Sequence, residues 1–151
     1  MKIAALSLLL FCAPLAHGAE IALKIGNHAI RTEVADTPET REHGLMQRQT
    51  LCPDCGMLFV FPVAARLAFW MKNTPRPLAL AFIGSDGHIL NIVEMQPYSL
   101  DIHVSQAEAL YALEMNRGWF AAHGIKPGDQ VVLEGAPKGG ESIQPLPHAQ
   151  K

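Results

Sequence analysis

The sequence predicts a mostly β domain, a sandwich or barrel-like fold carrying one or two short helices. Three observations lead there: apolar runs are short, glycine, proline and asparagine punctuate them closely, and only two stretches suit a helix. No long helix is available as a parallel crossover, which argues against a doubly wound sheet.

The elements follow in order. "EIALKIGNHAIRTEVA" holds two alternating runs around Gly26-Asn27, a pair suited to the positive backbone angles of a tight hairpin. "DTPETREHGLMQR" reads as a short helix. Asp36 or Thr37 can cap it, Pro38 fits the first helical position, Glu39 favours the positive end of the dipole, and Gly44 weakens or ends it. Strands are expected over 56–61, ending at Pro62, and over 66–72, ending before the next prolines. Two more, 78–83 and 88–95, flank the turn Gly84-Ser85-Asp86-Gly87. A looser stretch then leads to a strand over 110–116. "GWFAAHG" suits one or two helical turns closed by Gly124, and 130–134 is the last strand. From Gly135 the chain is rich in proline and glycine with little to bury, which predicts a disordered tail over 135–151.

At 151 residues, 49% hydrophobic and 17% charged, the chain has the composition of one globular domain able to bury an ordinary core. A formal net charge of -2 supplies no basic field, which disfavours nucleic acid and acidic lipid as partners. The first 19 residues have Lys2, an apolar run and small residues from Ala16 to Ala19, the pattern of a secretory signal peptide cleaved after Gly18 or Ala19. The run is shorter than the roughly 20 residues that span a bilayer comfortably, so no stable membrane span is expected after cleavage. Phe11 before Cys12 is too bulky for lipoprotein processing. The expected location is periplasmic or secreted, with the domain at 20–134. Cleavage removes Cys12 and leaves Cys52 and Cys55, an even count in an oxidising compartment.

Six stretches, "GLMQR", "GMLFVFP", "FWMKNT", "PL…AFI", "YALEMNRGWF" and "GIKPGD", resemble the domain-of-unknown-function 192 family from about Ile21 to Glu134. The resemblance implies a compact, mainly β domain, often exported, and implies no established reaction, cofactor or catalytic residue. The family usually carries an aspartate after the proline-leucine pair, where this chain has Ala79, and "CPDCG" is not a general family feature.

The CPDC stretch has the spacing of a redox motif, but a strand follows it where an oxidoreductase would place an activating helix. The reading is therefore a Cys52–Cys55 disulfide that stiffens a loop, its entropic gain about 2 kcal/mol or less because the closed loop is short. Zinc lacks further ligands at suitable spacing, the histidines are scattered, and no phosphate loop, G-x-S-x-G or H-E-x-x-H occurs. No metal and no cofactor are expected. Arg41 and Arg48 read as solvated or helix-capping charges, with anion binding as the minor reading.

The candidate site comes from "FWMKNT" and "LYALEMN". Period-two alternation puts Leu67, Phe69 and Met71 on one face and Arg66, Ala68, Trp70 and Lys72 on the other. In the second segment Glu114 interrupts apolar residues, and a carboxylate there needs a partner if buried. The expectation is that Lys72 and Glu114 meet, with Asn73 and Thr74 tying down the strand end. Trp70, Lys72, Asn73, Thr74, Glu114 and Trp119 would then line a polar cleft that binds a small ligand, a peptide or an envelope protein. Two other classes remain: an enzyme using Glu114 as acid or base and Lys72 to stabilise negative charge, and a structural or assembly factor.

Overall fold

The computed structural model describes residues 20–134. The expected signal peptide at 1–19 and tail at 135–151 lie outside the described residues. The order is β1 (Glu20–Ile25), β2 (His28–Ala35), α1 (Pro38–His43), β3 (Cys55–Ala65), β4 (Ala68–Phe69), β5 (Leu78–Ile83), β6 (Ile89–Met95), β7 (His103–Val104), β8 (Ala109–Asn116), α2 (Trp119–Ala122) and β9 (Val131–Leu133). Seven strands form one sheet in the order β6-β5-β8-β3-β2-β1-β9, and β4 pairs with β7 as a separate ribbon. The sheet curls into a half-barrel. Its two ends meet where His88 bridges Gln130, with Ile89 N donating to Asp129 O at 2.9 Å and Val131 N to Gly87 O at 2.9 Å.

Local chemistry explains the elements. Gly26 sits at φ 59 in the β1–β2 hairpin turn. Thr37 caps α1: its Oγ1 accepts from Thr40 N while Thr40 Oγ1 accepts from Thr37 N, a reciprocal capping box, with Pro38 at the helix start. The passage from β2 through α1 to β3 makes a parallel pair, Arg31–Ala35 against Cys55–Phe59, within a sheet otherwise antiparallel. A six-residue helix suffices for that crossover, so a long one is not needed.

Two sequence expectations are corrected. First, β3 does not stop at Pro62; it runs to Ala65. The register to β8 shifts between Val60 and Ala65, and pairing to β2 ends at Phe59, so Pro62 lies where no ladder amide is required. Second, 66–72 is not a sheet strand. Only Ala68–Phe69 pairs, and its partner, His103–Val104, falls in the stretch expected to be looser.

Both faces of the sheet are covered. Leu23, Ile25, Tyr111, Leu113, Trp119 and Phe120 belong to the cluster on one face. Phe59, Met71, Leu80, Phe82 and Ala112 belong to the cluster on the other. Central strands β5 and β8 are therefore buried on both sides, which is why "LALAFI" reads as a continuous apolar run rather than an alternating one. The one acid in β8, Glu114, is caught in this double burial.

Candidate functional site

Strand register decides where Glu114 goes. Directly across from it stand Met57 on β3 and Leu80 on β5, so the carboxyl projects with the second apolar cluster. It is 5% exposed, and Oε2 has no hydrogen-bond partner among the described residues. Burial pushes its pKa up to about 8, because the charged form loses water and gains no compensating contact. Burial thus favours the neutral carboxylic acid near pH 7, a form able to donate a proton in a hydrogen bond.

Above it lies a cleft of ≈240 Å³. Phe59, Phe61, Phe69 and Trp70 give it aromatic walls, and the end of α1 with Gly44 closes another side. The walls brace one another: Phe69 meets Phe59 edge-on at 4.9 Å and Phe82 at 5.8 Å. At Gly44, φ is 49 and an added Cβ would come within 3.2 Å of the Phe59 ring, so glycine lets the chain pass close to the aromatic wall. Arg41 lies over Phe61 at 5.2 Å and donates from Nη1 to the carbonyls of Asp36 and Val60, which fixes α1 against β3. Arg41 is therefore a brace rather than a solvated charge. Arg48 pairs in bidentate fashion with Glu33 of β2.

Of the six residues expected to share a cleft, the structure brings three together: Trp70, Thr74 and Glu114. Lys72 does not reach Glu114 and forms no ion pair among the described residues. The alternation that buries Leu67 and Met71 turns Lys72 outward, where its ammonium keeps its water and lies 5.1 Å from the centre of the Trp70 ring. Asn73 is a turn residue at φ 55, and its carbonyl accepts from Gln47 N at 2.8 Å. Thr74 is buried and donates to Lys72 O at 3.2 Å, so its hydroxyl belongs to the same turn. Trp119 packs in the opposite cluster, stacked on His123 at 4.3 Å, with Nε1 donating to Asp54 Oδ1.

His28 and His123, far apart in sequence, bring their rings to 4.5 Å beside Trp119. Among the described residues no three His, Cys, Asp or Glu side chains gather as a metal site, and no helix is long and apolar enough to cross a membrane. Cys52 and Cys55 are joined in a disulfide at the start of β3. Among the cleft-lining residues that the sequence reading missed are Phe59, Phe61, Phe69, Arg41 and Gly44. Their one visible signal is aromatic density in "GMLFVF" and "FWMKNT", which is indistinguishable from core.

The chain matches the profile of DUF192, described as "Uncharacterized ACR", over residues 21–133. Comparison with curated proteins finds no match. One similar crystal structure is of a protein from Sinorhizobium meliloti 1021, named provisionally as a transcription regulator; it is 36% identical, with TM-score 0.77, covering 79% of this chain and 97% of that one. Another, a protein of unknown function from Novosphingobium aromaticivorans DSM 12444, is 33% identical, with TM-score 0.76, covering 80% of this chain and 89% of that one. The profile match, which spans the described domain, places this chain in the DUF192 family.

Proposed function

We propose that this chain is an exported binding domain whose aromatic cleft takes a small apolar ligand presenting a carbonyl-type acceptor to Glu114. One observation carries the reading: a buried carboxyl oxygen without a partner, at the floor of a cleft with aromatic walls. Leaving a buried polar group unpaired typically costs about 1–3 kcal/mol, which an acceptor delivered by a ligand would offset. Because burial keeps Glu114 protonated at neutral pH, the acid is a donor, and a neutral carbonyl suits it better than an anion. Trp70, 43% exposed, gives the ligand an apolar contact at the mouth. An anionic ligand held by Lys72 is not favoured, since that ammonium does not line the cleft.

Export is supported by the signal-like N-terminus and by the disulfide, and a periplasmic or secreted setting follows. The Sinorhizobium relative is named provisionally as a transcription regulator. The net charge of -2 disfavours nucleic acid as a partner of this chain.

The enzyme reading keeps one supporting observation, the raised pKa of Glu114, which suits a proton donor or acceptor near neutral pH. A single set of variants separates these readings. With benzamide as the neutral probe and benzylamine as the cationic probe, calorimetric titration of the wild-type chain should detect benzamide preferentially. Glu114→Gln retains an N–H donor and should keep benzamide binding, whereas Glu114→Leu should lose it. Equal benzamide affinity in wild type and Glu114→Leu overturns the proposal. Binding that favours benzylamine and disappears in Glu114→Gln would replace it with a carboxylate–amine site. Amide hydrolysis by wild type that Glu114→Gln abolishes would indicate an enzyme.

A further inference from the structure

We propose that the Cys52–Cys55 disulfide is a thiol–disulfide exchange site for dithiol groups of partner proteins, activated by Arg31. The sequence around the cysteines offers no helix amino terminus to stabilise a thiolate, and the fold supplies a guanidinium instead. In the parallel β2–β3 register Arg31 stands opposite Cys55. Its backbone N–H donates to Asp54 O at 3.0 Å, inside the CPDC loop. Its Nη2 lies 3.8 Å from Cys52 Sγ and 3.8 Å from Cys55 Sγ. A fixed positive charge beside both sulfurs favours whichever cysteine carries negative charge.

The surrounding acids leave that charge available. Among the described residues Arg31 has no carboxylate ion-pair partner. Asp54 accepts from Trp119 Nε1 at 3.0 Å, and Glu33 is paired with Arg48. Glu20 and Glu134 line the small clefts beside the bridge without pairing to Arg31. Both cysteines are half-buried. Clefts of ≈290 Å³ and ≈110 Å³ flank the bridge, and Arg31 and Cys52 line both, so an incoming thiol has room to approach.

The loop is also held by contacts that do not depend on the bond. Asn116 Nδ2 donates to Cys52 O at 2.8 Å, Arg76 Nη2 donates to Asn116 Oδ1 at 3.0 Å, and Cys55 N donates to Cys52 O at 3.2 Å. Reduction therefore leaves the two thiols facing one another, ready to close again, as a reversible site requires.

The exchange balances. A thiolate of the partner attacks one sulfur, the Cys52–Cys55 bond breaks, and a mixed disulfide forms while the other cysteine leaves as a thiolate beside Arg31. The partner's second thiol loses its proton and attacks the mixed disulfide, releasing the first cysteine. The partner departs oxidised, and the chain has taken up two electrons and, after protonation, two protons. Exchange with a second protein disulfide runs the same steps backward.

The test equilibrates the full chain with dithiothreitol and its oxidised form, followed by acid quench, alkylation and mass measurement. Arg31→Gln should shift the equilibrium toward the disulfide by about threefold or more, whereas Arg31→Lys should stay near wild type. The pH midpoint for alkylation of reduced protein should lie below the ordinary cysteine range of about 8.5 and rise in Arg31→Gln. Reduced and oxidised wild type should unfold at similar urea concentrations. An unchanged equilibrium and alkylation midpoint in Arg31→Gln, or unfolding of the wild type on reduction, would overturn the proposal in favour of a structural staple.

Discussion

Glu114 stands directly across from Met57 in the β3–β8 ladder, a carboxyl beside a thioether with both side chains buried. No cation among the described residues compensates it, so this acid affects stability in the direction opposite to a paired carboxylate. The native state keeps its proton up to about pH 8, while the unfolded chain releases it near the ordinary value of 4.5. Stability is therefore full below about pH 4.5, falls as pH rises because the unfolded state binds fewer protons, and levels off above about pH 8. The contribution lost is on the order of 5 kcal/mol. Urea denaturation at pH 5, 7 and 9 should show Glu114→Gln close to wild type at pH 5 and increasingly more stable than it toward pH 9. A parallel pH dependence in the two proteins would remove Glu114 as the cause.

Gly56 has a different burden. An added Cβ there would lie 2.3 Å from the Glu114 carbonyl oxygen and 2.4 Å from Met115 Sδ. The thioether can swing aside but the backbone oxygen of the neighbouring strand cannot, so β3 and β8 would have to separate just after the disulfide. Gly56→Ala should destabilise the fold by about 1–3 kcal/mol, the range for overpacking a close-packed interior. Thermal unfolding checks it, and a variant that melts with wild type would show that the strands have slack.

Helix α1 buries none of its residues, so its caps and the Arg41 brace to β3 must hold it. Thr37→Ala removes one half of the capping box and should cost about 1 kcal/mol. Because the end of α1 walls the aromatic cleft, hydrogen exchange should quicken at residues 39–44 while the β8 amides keep their protection. Uniform acceleration across the domain would mean that the cap supports the whole fold rather than one wall.

Much of this molecule is legible in one dimension. Local rules suffice for the Gly26-Asn27 turn, the proline-started helix, the apolar run of β5, and the inward and outward faces of 66–72, because each depends on residues a few positions apart. Period-two patterning also marks Glu114 as an acid in an apolar strand. It cannot say what lies over that acid. The end of α1 comes to the cleft because of how a crossover and a ribbon pack over the sheet. The same holds at the disulfide, where Arg31 reaches the sulfurs through a parallel register between chain segments 24 residues apart. Sequence alone determined most strands of the main sheet, the turns and the polar exceptions, which short-range sterics and burial decide; the β4–β7 ribbon and the run of β3 past Pro62 it did not. Tertiary structure alone decided which polar groups meet, since Coulomb and hydrogen-bond energies depend on separation in space, which local patterning does not encode.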